Sequence, residues 1–331
     1  MRKIELEASG FSGVYNSLNG IRSIQFNSLD LIRANACIGY SSWRSILLRS
    51  PREYLESIYH SVGTIAYTKT ENGNLALADN FYNLDTSEKN PITYRLGMAI
   101  TKLVAERELN IPWLLHVDRL VELGIATITT GTKERGDLAG LDIDNIWHVL
   151  ESKGRSNKPS STDIKHGKNQ AGRITTINGI PPATKSVCVS YLHKSNTYTR
   201  LIDPPFGEDM HPTTWEINMN RLMLYYYFEF FKQLIDLRRT HFELDIGSNN
   251  HEFYLFDSPN QKGFKIGVLR EIADSVKDKS IGFIENLRKY QVDVIEYYRI
   301  NKNYRILNDY SNENLIYQNS YGLDGIIILT Q

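Results

Sequence analysis

Two carboxylates and one lysine have the residue types and the spacing that best suit chemistry in this chain of 331 residues. Asp137 opens a short apolar run, and Glu151 and Lys153 close a second apolar run that begins at Trp147. The segment 142–145 between the runs contains two Asp and one Asn, and it predicts the turn of a β-hairpin. Side chains alternate between the two faces of a strand, so Glu151 and Lys153 should share one face with Trp147. Charged groups that end an apolar row indicate a functional site rather than a solvated face.

These residue types suit the hydrolysis of a phosphodiester. A phosphodiester repels anionic nucleophiles, so its hydrolysis needs positive charge near the phosphorus and a deprotonated water. Two carboxylates are typical ligands of Mg²⁺, which keeps several of its waters and lowers the pKa of a bound water. Lys153 lies on the same strand face as Glu151 and would reach the same phosphate. Cysteine is absent nearby and the histidines are scattered, so the pattern favours Mg²⁺, with Mn²⁺ as a substitute, over zinc.

The motif resembles that of the PD-(D/E)xK superfamily, the restriction-endonuclease-like nucleases, over residues 96–192. The resemblance implies that Asp137 and Glu151 bind Mg²⁺ with the help of the main-chain carbonyl of Ser152. It also implies that Lys153 orients or deprotonates the attacking water. Gly136 stands where the motif has Pro, at a position that varies within the superfamily and has no catalytic role. Proteins of this kind occur in bacterial phage-defence loci, so the resemblance implies a role in restriction or defence.

The order of elements predicts an α/β fold with a restriction-endonuclease-like core, in which helices and a mixed sheet follow the order αβββαβ. The predicted core elements are a helix after Pro91 that ends before Pro112, a strand at 125–130, the hairpin, a helix at 163–174 capped by Thr162 or Asp163, and a strand at 186–192. We expect this core at residues 91–203, between an N-terminal accessory region at 1–90 and a mainly helical C-terminal region at 204–331.

The two flanking regions carry simpler patterns. In the N-terminal region the sequence predicts a short helix at 54–59 and a hairpin turn at 71–74, between strands at 64–67 and 75–77. In the C-terminal region it predicts helices at 215–239, 268–276 and 281–298 and a final strand at 325–329.

A local excess of basic residues follows the motif, in a chain whose 38 Lys and Arg residues balance its 38 Asp and Glu residues. Asp163 is the only acidic residue between Lys153 and Lys185. Such local basicity suits contacts with a phosphate backbone, and the alternative is an ordinary solvated helix face. The residues predicted to contact nucleic acid are Arg155, Lys165, Lys168, Gln170 and Arg173. The Gln in this set also resembles an additional active-site residue of the RecB-like branch of the superfamily.

Other residues compete with this assignment. Asp142 and Asp144 are further candidates for a metal, but both lie in the predicted turn, where Asp is common for local reasons. Glu106 lies in the region where some members of the superfamily supply another carboxylate. His148 is expected on the opposite strand face, in a structural role. The aromatic cluster at 225–228 is a candidate for base stacking, although its helical spacing is more typical of a core or a dimer interface.

The composition excludes several classes of protein. Hydrophobic residues make up 41% of the chain and charged residues 23%, as in globular proteins. The chain has two cysteines, a number that excludes a disulfide scaffold, and their separation and the apolar run around Cys188 favour buried thiols in a reducing compartment. No signal peptide, membrane span or nucleotide-cofactor motif is recognised, so we expect a cytoplasmic protein without a membrane partner.

We therefore expect a Mg²⁺-dependent endonuclease whose partner is a nucleic acid, with DNA as the favoured substrate. A homodimer, or assembly with a subunit of a defence system, suits this function because a double-strand cut needs two sites or two events. Two alternatives stay open. One is a catalytically silent subunit of the same fold that binds nucleic acid or acts as a scaffold, and the other is an RNA-directed nuclease.

Overall fold

A computed structural model describes residues 1–38, 62–129, 136–203, 213–234, 238–257, 264–278, 282–301 and 319–330. Within these ranges the strands are β1 (Arg2–Ser9), β2 (Gly20–Phe26), β3 (Thr68–Glu71), β4 (Asn74–Leu77), β5 (Trp113–His116), β6 (Ala126–Thr129), β7 (Leu138–Leu141), β8 (Trp147–Arg155), β9 (Ile174–Ile177), β10 (Thr184–Leu192), β11 (Thr197–Ile202), β12 (Thr213–Ile217), β13 (Arg238–Ile246), β14 (Asn249–Asp257), β15 (Phe264–Leu269), β16 (Asn319–Tyr321) and β17 (Ile326–Thr330). The helices are α1 (Ser28–Cys37), α2 (Asp79–Tyr82), α3 (Thr86–Glu108), α4 (Val117–Glu122), α5 (Ser161–Gly172), α6 (Met219–Leu234), α7 (Arg270–Lys277) and α8 (Phe283–Asn301), with a 3₁₀ helix at Gly13–Leu18 and a helical turn at 62–65. The helix predicted at 54–59 lies outside the described residues.

The largest sheet described has nine strands and is mixed, which confirms the predicted α/β class with a mixed sheet. Its order is β3-β4-β1-β11-β10-β8-β7-β5, and β2 pairs with β1. β5, β7 and β8 are antiparallel neighbours, whereas β8 and β10 are parallel. The predicted hairpin is therefore formed by β7 and β8, with Leu138 opposite Leu150.

Two helices cover the opposite faces of β8. On one face, the Thr101 and Ser152 hydroxyls lie 2.8 Å apart, which places α3 against the strand. On the other face, a Cβ at Gly167 would lie 2.7 Å from a Val187 methyl and 3.6 Å from Glu151 Cγ. Glycine at position 167 thus lets α5 approach the face that carries Glu151.

Two glycines allow α3 to cross β8 at close range. A Cβ at Gly154 would lie 2.0 Å from the Thr93 carbonyl oxygen, and a Cβ at Gly97 would lie 2.6 Å from the Gly154 Cα. Helix and strand backbones therefore touch directly, one residue beyond Lys153.

The first strand of the predicted core was assigned to the wrong segment. Strand β6, which overlaps the predicted strand at 125–130, pairs with β12 in a separate sheet of order β6-β12-β9. The strand next to β7 is β5 instead. All four β5 residues are buried, so the segment lacks the alternation of a half-buried strand and its apolar run was not recognised as one.

The described part of the C-terminal region contains a sheet in addition to the predicted helices. Strands β13 to β17 form a five-stranded sheet of order β13-β14-β15-β17-β16, and the single helix predicted at 215–239 is three elements, β12, α6 and β13. Burial alternates along β12, so it forms a strand, and the Asn218 side chain accepts a hydrogen bond from the Arg221 N–H at 3.0 Å, where α6 begins. The predicted helices at 268–276 and 281–298 and the final strand correspond to α7, α8 and β17.

The N-terminal region continues the main sheet. Strand β1 pairs in parallel with β11, and the boundary predicted at residues 90 and 91 falls inside α3. The predicted turn at 71–74 is confirmed, with positive φ at Asn72 and Gly73, but the strand before it is β3 rather than 64–67. Helix α5 begins two residues earlier than predicted, with Ser160 as its N-cap and Asp163 as the other half of a capping box.

The remaining sequence predictions concern membrane helices and cysteines. Of the helices in the described ranges, none is long and apolar enough to cross a membrane. Cys37 and Cys188 are both free and buried, as predicted.

Gly154→Ala tests the contact between α3 and β8. We expect the free energy of unfolding to fall by about 3 kcal/mol, because the new Cβ would overlap the Thr93 carbonyl oxygen. Urea unfolding measures this change. Gly63→Ala is the matched control, since a Cβ at exposed Gly63 would meet open space, and it should leave stability unchanged or raise it by up to about 1 kcal/mol, because position 63 lies in a helical turn. Similar values for the two variants would contradict the close crossing.

Candidate active site

The structure brings the two predicted carboxylates together. Asp137 immediately precedes β7, and its main-chain N–H donates a hydrogen bond to Glu151 Oε2 at 3.0 Å. Its carbonyl oxygen accepts a hydrogen bond from the Val117 N–H at 2.9 Å, which ties it to the start of α4. A Cβ at Gly136 would lie 2.8 Å from a Val149 methyl, so the proline of the superfamily motif would not fit here without a shift of Val149.

Lys153 and Gln170 complete this cluster. The Lys153 ammonium group donates hydrogen bonds to Glu151 Oε1 and, at 3.1 Å, to Gln170 Oε1. The Lys153 side chain is 19% exposed, whereas the Glu151 side chain is fully buried. The lysine therefore lies between a buried carboxylate and solvent, and Gln170 on α5 fixes its position.

Burial disfavours the ionised forms of both Asp137 and Glu151. Burial raises the pKa of Glu151 to about 7, the charge of Asp137 adds to this shift, and Lys153 opposes it. Burial also raises the pKa of Asp137, against the opposing charges of His116 and Lys153. Both groups resist ionisation together, so a cation placed between them would stabilise their charged forms.

A histidine that the sequence prediction missed lies beside this pair. His116 ends β5 and pairs in the sheet with Leu138, the residue after Asp137. It is buried, and its Nε2 lies 3.4 Å from the Tyr94 hydroxyl. Its charge acts on the pKa of Asp137, as does the like charge of Asp118, which raises it. The signal that would have found His116 is the fully buried run of β5, which ends at this residue.

The donor set fits magnesium better than zinc. Within the part of the chain that the structure describes, no group of three or more His, Cys, Asp and Glu side chains is arranged to hold a metal ion. Protein sites for Mg²⁺ need only one or two carboxylates, because the ion keeps several waters, and Asp137 and Glu151 supply two. The Ser152 side chain bonds Thr101 on the opposite face, so only its main-chain carbonyl is left for the predicted role, which stays a prediction.

The competing carboxylates have other partners. Asp142 Oδ1 accepts hydrogen bonds from the N–H groups of Asp144 and Ile146, both at 2.8 Å, and so fixes the hairpin turn. The Asp142 Oδ2 atom lies 3.3 Å from Nε2 of buried His148, as expected for a histidine in a structural role. Asp144 bonds Arg288 at 2.8 Å. These contacts favour Asp137 over both residues of the turn.

Glu106 belongs to a buried ion-pair network. It accepts hydrogen bonds from both terminal nitrogens of Arg33, at 3.0 and 2.6 Å, and lies 3.0 Å from Lys102 Nζ. Burial alone would raise the pKa of Glu106, but Arg33 and Lys102 hold it at about 2. The network joins α1 to α3, and all three charges are used within it.

The predicted nucleic-acid-binding residues differ in their exposure. Arg155 is exposed and lies 3.5 Å from Asp163. Lys165 is exposed, whereas Lys168 and Arg173 are half-buried. These positions leave contacts with phosphate as a prediction, while Gln170 is already bound to Lys153.

The aromatic cluster on α6 faces the interior where the structure describes its side chains. The Tyr226 hydroxyl donates to Asp324 Oδ2 at 2.6 Å, and the Tyr227 hydroxyl donates to the Asp324 carbonyl at 2.8 Å. Tyr227 is fully buried. For Tyr227 the core interpretation is confirmed and its burial excludes base stacking, whereas Tyr226 is half-buried with its hydroxyl bound to Asp324.

Glu151→Gln tests the burial of a titrating carboxyl. Its folded pKa of about 7 exceeds its ordinary value of 4.5, so folding favours the protonated form. The contribution of Glu151 to the free energy of unfolding should therefore be largest below pH 4.5 and fall as pH rises through 7. Without divalent ions, we expect this fall to be smaller in Glu151→Gln by on the order of 2 kcal/mol. Urea unfolding from pH 4 to pH 8 measures it.

The control for this comparison is Asp144→Asn, which removes a carboxylate that is 60% exposed. It should leave the pH dependence of the free energy of unfolding as in the wild type. A pH dependence that is the same in wild type and Glu151→Gln would show that Glu151 is not buried as a titrating group.

Comparison with known proteins found no match to this chain. The comparison covered protein-family models, curated proteins and solved structures. The arrangement of Asp137, Glu151, Lys153 and Gln170 is therefore the basis on which a function can be proposed.

Proposed function

We propose that this protein is a Mg²⁺-dependent endonuclease that hydrolyses phosphodiester bonds in DNA. One observation carries the proposal: buried Glu151 and half-buried Asp137, both of raised pKa, lie beside a lysine that is bonded to Glu151 and is still partly exposed to solvent. Such a cluster is unfavourable as a purely structural element, because removing charges from water costs more than one ion pair returns. It is favourable where a divalent cation and an anionic substrate bind.

The order of elements around the cluster supports the same proposal. Helix α3, strands β5, β7 and β8, helix α5 and strand β10 follow one another as αβββαβ, and α4 and the short strands β6 and β9 are inserted between them in the described part of this stretch. This is the order predicted for a restriction-endonuclease-like core. Asp137 stands at the head of the second of these strands, and Glu151 and Lys153 lie on the third.

Each residue has a distinct part in the proposed reaction. Asp137 and Glu151 would hold Mg²⁺, or Mn²⁺ in its place, and Ser152 would add its main-chain carbonyl. A bound divalent cation lowers the pKa of a water and neutralises charge that develops on the phosphate. The Lys153 ammonium group would donate to a phosphate oxygen or hold the attacking water. Gln170, which bonds Lys153, would keep that ammonium group in place.

The substrate is proposed from the charges near the cluster. Arg155 and Lys165 are exposed cations on β8 and α5, and exposed cations suit the phosphates of a nucleic acid. Restriction or anti-phage defence is the proposed context, with a homodimer or a defence subunit as the proposed assembly. Both follow from the resemblance of the motif alone.

Cleavage assays test this function. We expect the wild-type protein to cut supercoiled plasmid with Mg²⁺ or Mn²⁺ and not with EDTA. Glu151→Gln and Lys153→Ala should each reduce the rate at least about 100-fold, because each removes part of the charge stabilisation of the transition state. Asp144→Asn is the control, since it removes an exposed carboxylate of the hairpin turn, and its rate should equal that of the wild type.

Single-stranded DNA and RNA in the same assay identify the substrate. Cleavage of RNA alone would replace the DNA assignment with the RNA-directed alternative. Binding without cleavage by the wild type, in either metal, would favour the catalytically silent subunit. Cleavage that survives Glu151→Gln would contradict the assignment of the site.

A further inference from the structure

The sheet face that carries Glu151 and Lys153 continues into a row of aromatic side chains. Arg155 lies two residues beyond Lys153 on β8 and therefore on the same face. In the parallel ladder Arg155 pairs with Tyr191 of β10, and in the next ladder Tyr191 pairs with Tyr198 of β11. One row thus crosses three strands in the order Arg155, Tyr191, Tyr198, about 7 Å along the strands from the row of Lys153.

Helix α5 leaves this row open to solvent. Ile164 of α5 packs on Val187, Val189 and Ile202. These three residues lie on the same side of the sheet as the aromatic row, at other positions along β10 and β11. Beyond them, Tyr198 is 41% exposed and Tyr191 is half-buried. The two tyrosines are accessible to a ligand that also reaches Lys153.

The two tyrosine rings are stacked on each other. Their centroids are 6.4 Å apart and their planes differ by 15°, so the rings are nearly parallel. The Tyr191 ring also contacts the ring of His193, at 5.6 Å between centroids. Nearly parallel rings can extend their stack to a third flat π system, and every nucleobase offers such a face.

The two ends of the row carry opposite charges. The exposed Arg155 guanidinium lies at one end. At the other end Tyr198 pairs with Glu5 of β1, which is exposed. A nucleotide on the row would therefore hold its base on the tyrosines and its phosphate towards Arg155 and Lys153, because Glu5 repels a phosphate.

We propose that Tyr191 and Tyr198 form a stacking platform for an unpaired base of the strand that is cut. This inference rests on the proposed nuclease function and makes it more specific. The substrate is then single-stranded nucleic acid, or a duplex with unpaired nucleotides beside the cut, because bases inside a duplex must be unstacked before they reach an aromatic side chain. Stacking accepts every base, so this contact adds little sequence preference.

Binding measured in a Glu151→Gln background separates this platform from catalysis. A labelled single-stranded DNA oligonucleotide and the duplex of the same sequence are titrated by fluorescence anisotropy. We expect tighter binding of the single strand, and roughly 5- to 100-fold weaker binding of it when both tyrosines are replaced by alanine. Tyr191→Phe with Tyr198→Phe keeps both rings and should bind within about 2-fold of the background protein. Affinity for the duplex should change little in either set.

The salt dependence of binding identifies the kind of contact. Replacing the tyrosines removes no charge, so it should leave the slope of log affinity against log salt unchanged. Arg155→Ala should reduce that slope by about 1, as expected for the loss of one phosphate contact. Tyr198→Ala alone, at the more exposed position, gives the same test if the double alanine variant has a lower unfolding midpoint.

The outcomes for platform and nuclease can be told apart. Tyrosine-dependent binding of the single strand supports the platform even if the wild-type protein cuts nothing, and the nuclease proposal then fails alone. Metal-dependent cleavage together with unchanged binding in the alanine variants overturns the platform and leaves the nuclease proposal standing. Equal affinity for single strand and duplex also overturns the platform.

Discussion

Asp137 and Glu151 place two carboxylates side by side in a largely buried position, where β7 begins and α5 crosses β8. The described residues offset this burial with the Lys153 ammonium group and the Asp137 N–H. Neighbouring carboxylates in such a position favour protonation of one of them, as the raised pKa of Glu151 shows. The fold must therefore hold the pair together against its own repulsion. It does so through close contacts at two glycines, Gly136 beside Val149 of β8 and Gly167 on the side of α5 that packs on the sheet.

Sequence patterns predict this fold where the pattern is local. The β7–β8 hairpin and α5 were predicted because alternation, turn residues and capping residues all lie within a few positions of one another. Strand β5 was missed because its four buried residues show no alternation, and a short apolar run does not distinguish a buried strand from a helix. Strand β12 was missed for another reason: the aromatic residues of α6 directly follow it, so the strand was included in the predicted helix.

The candidate site was predictable to the same extent. Lys153 and Glu151 are two residues apart on one strand, so their contact follows from alternation alone. His116 was not predicted, because it reaches Asp137 through a strand that the sequence reading missed. The role of Glu106 depends on Arg33, which is 73 residues away in the chain. A buried ion pair between residues so far apart in the chain depends on the packing of α1 on α3, so no local sequence pattern predicts it.

Calorimetric titration of Mg²⁺ into the protein tests the central claim most directly, because the two carboxylates must lose any bound proton when a cation binds. We expect Mg²⁺ to bind the wild-type protein at pH 6.5 with release of protons, seen as a dependence of the heat on the ionisation enthalpy of the buffer. This dependence should vanish by pH 8.5, where Glu151, with its pKa of about 7, is already ionised. Binding should be lost in Glu151→Gln and kept in Asp144→Asn. Absence of Mg²⁺ and Mn²⁺ binding in the wild type, or equal binding by Glu151→Gln, would contradict the account.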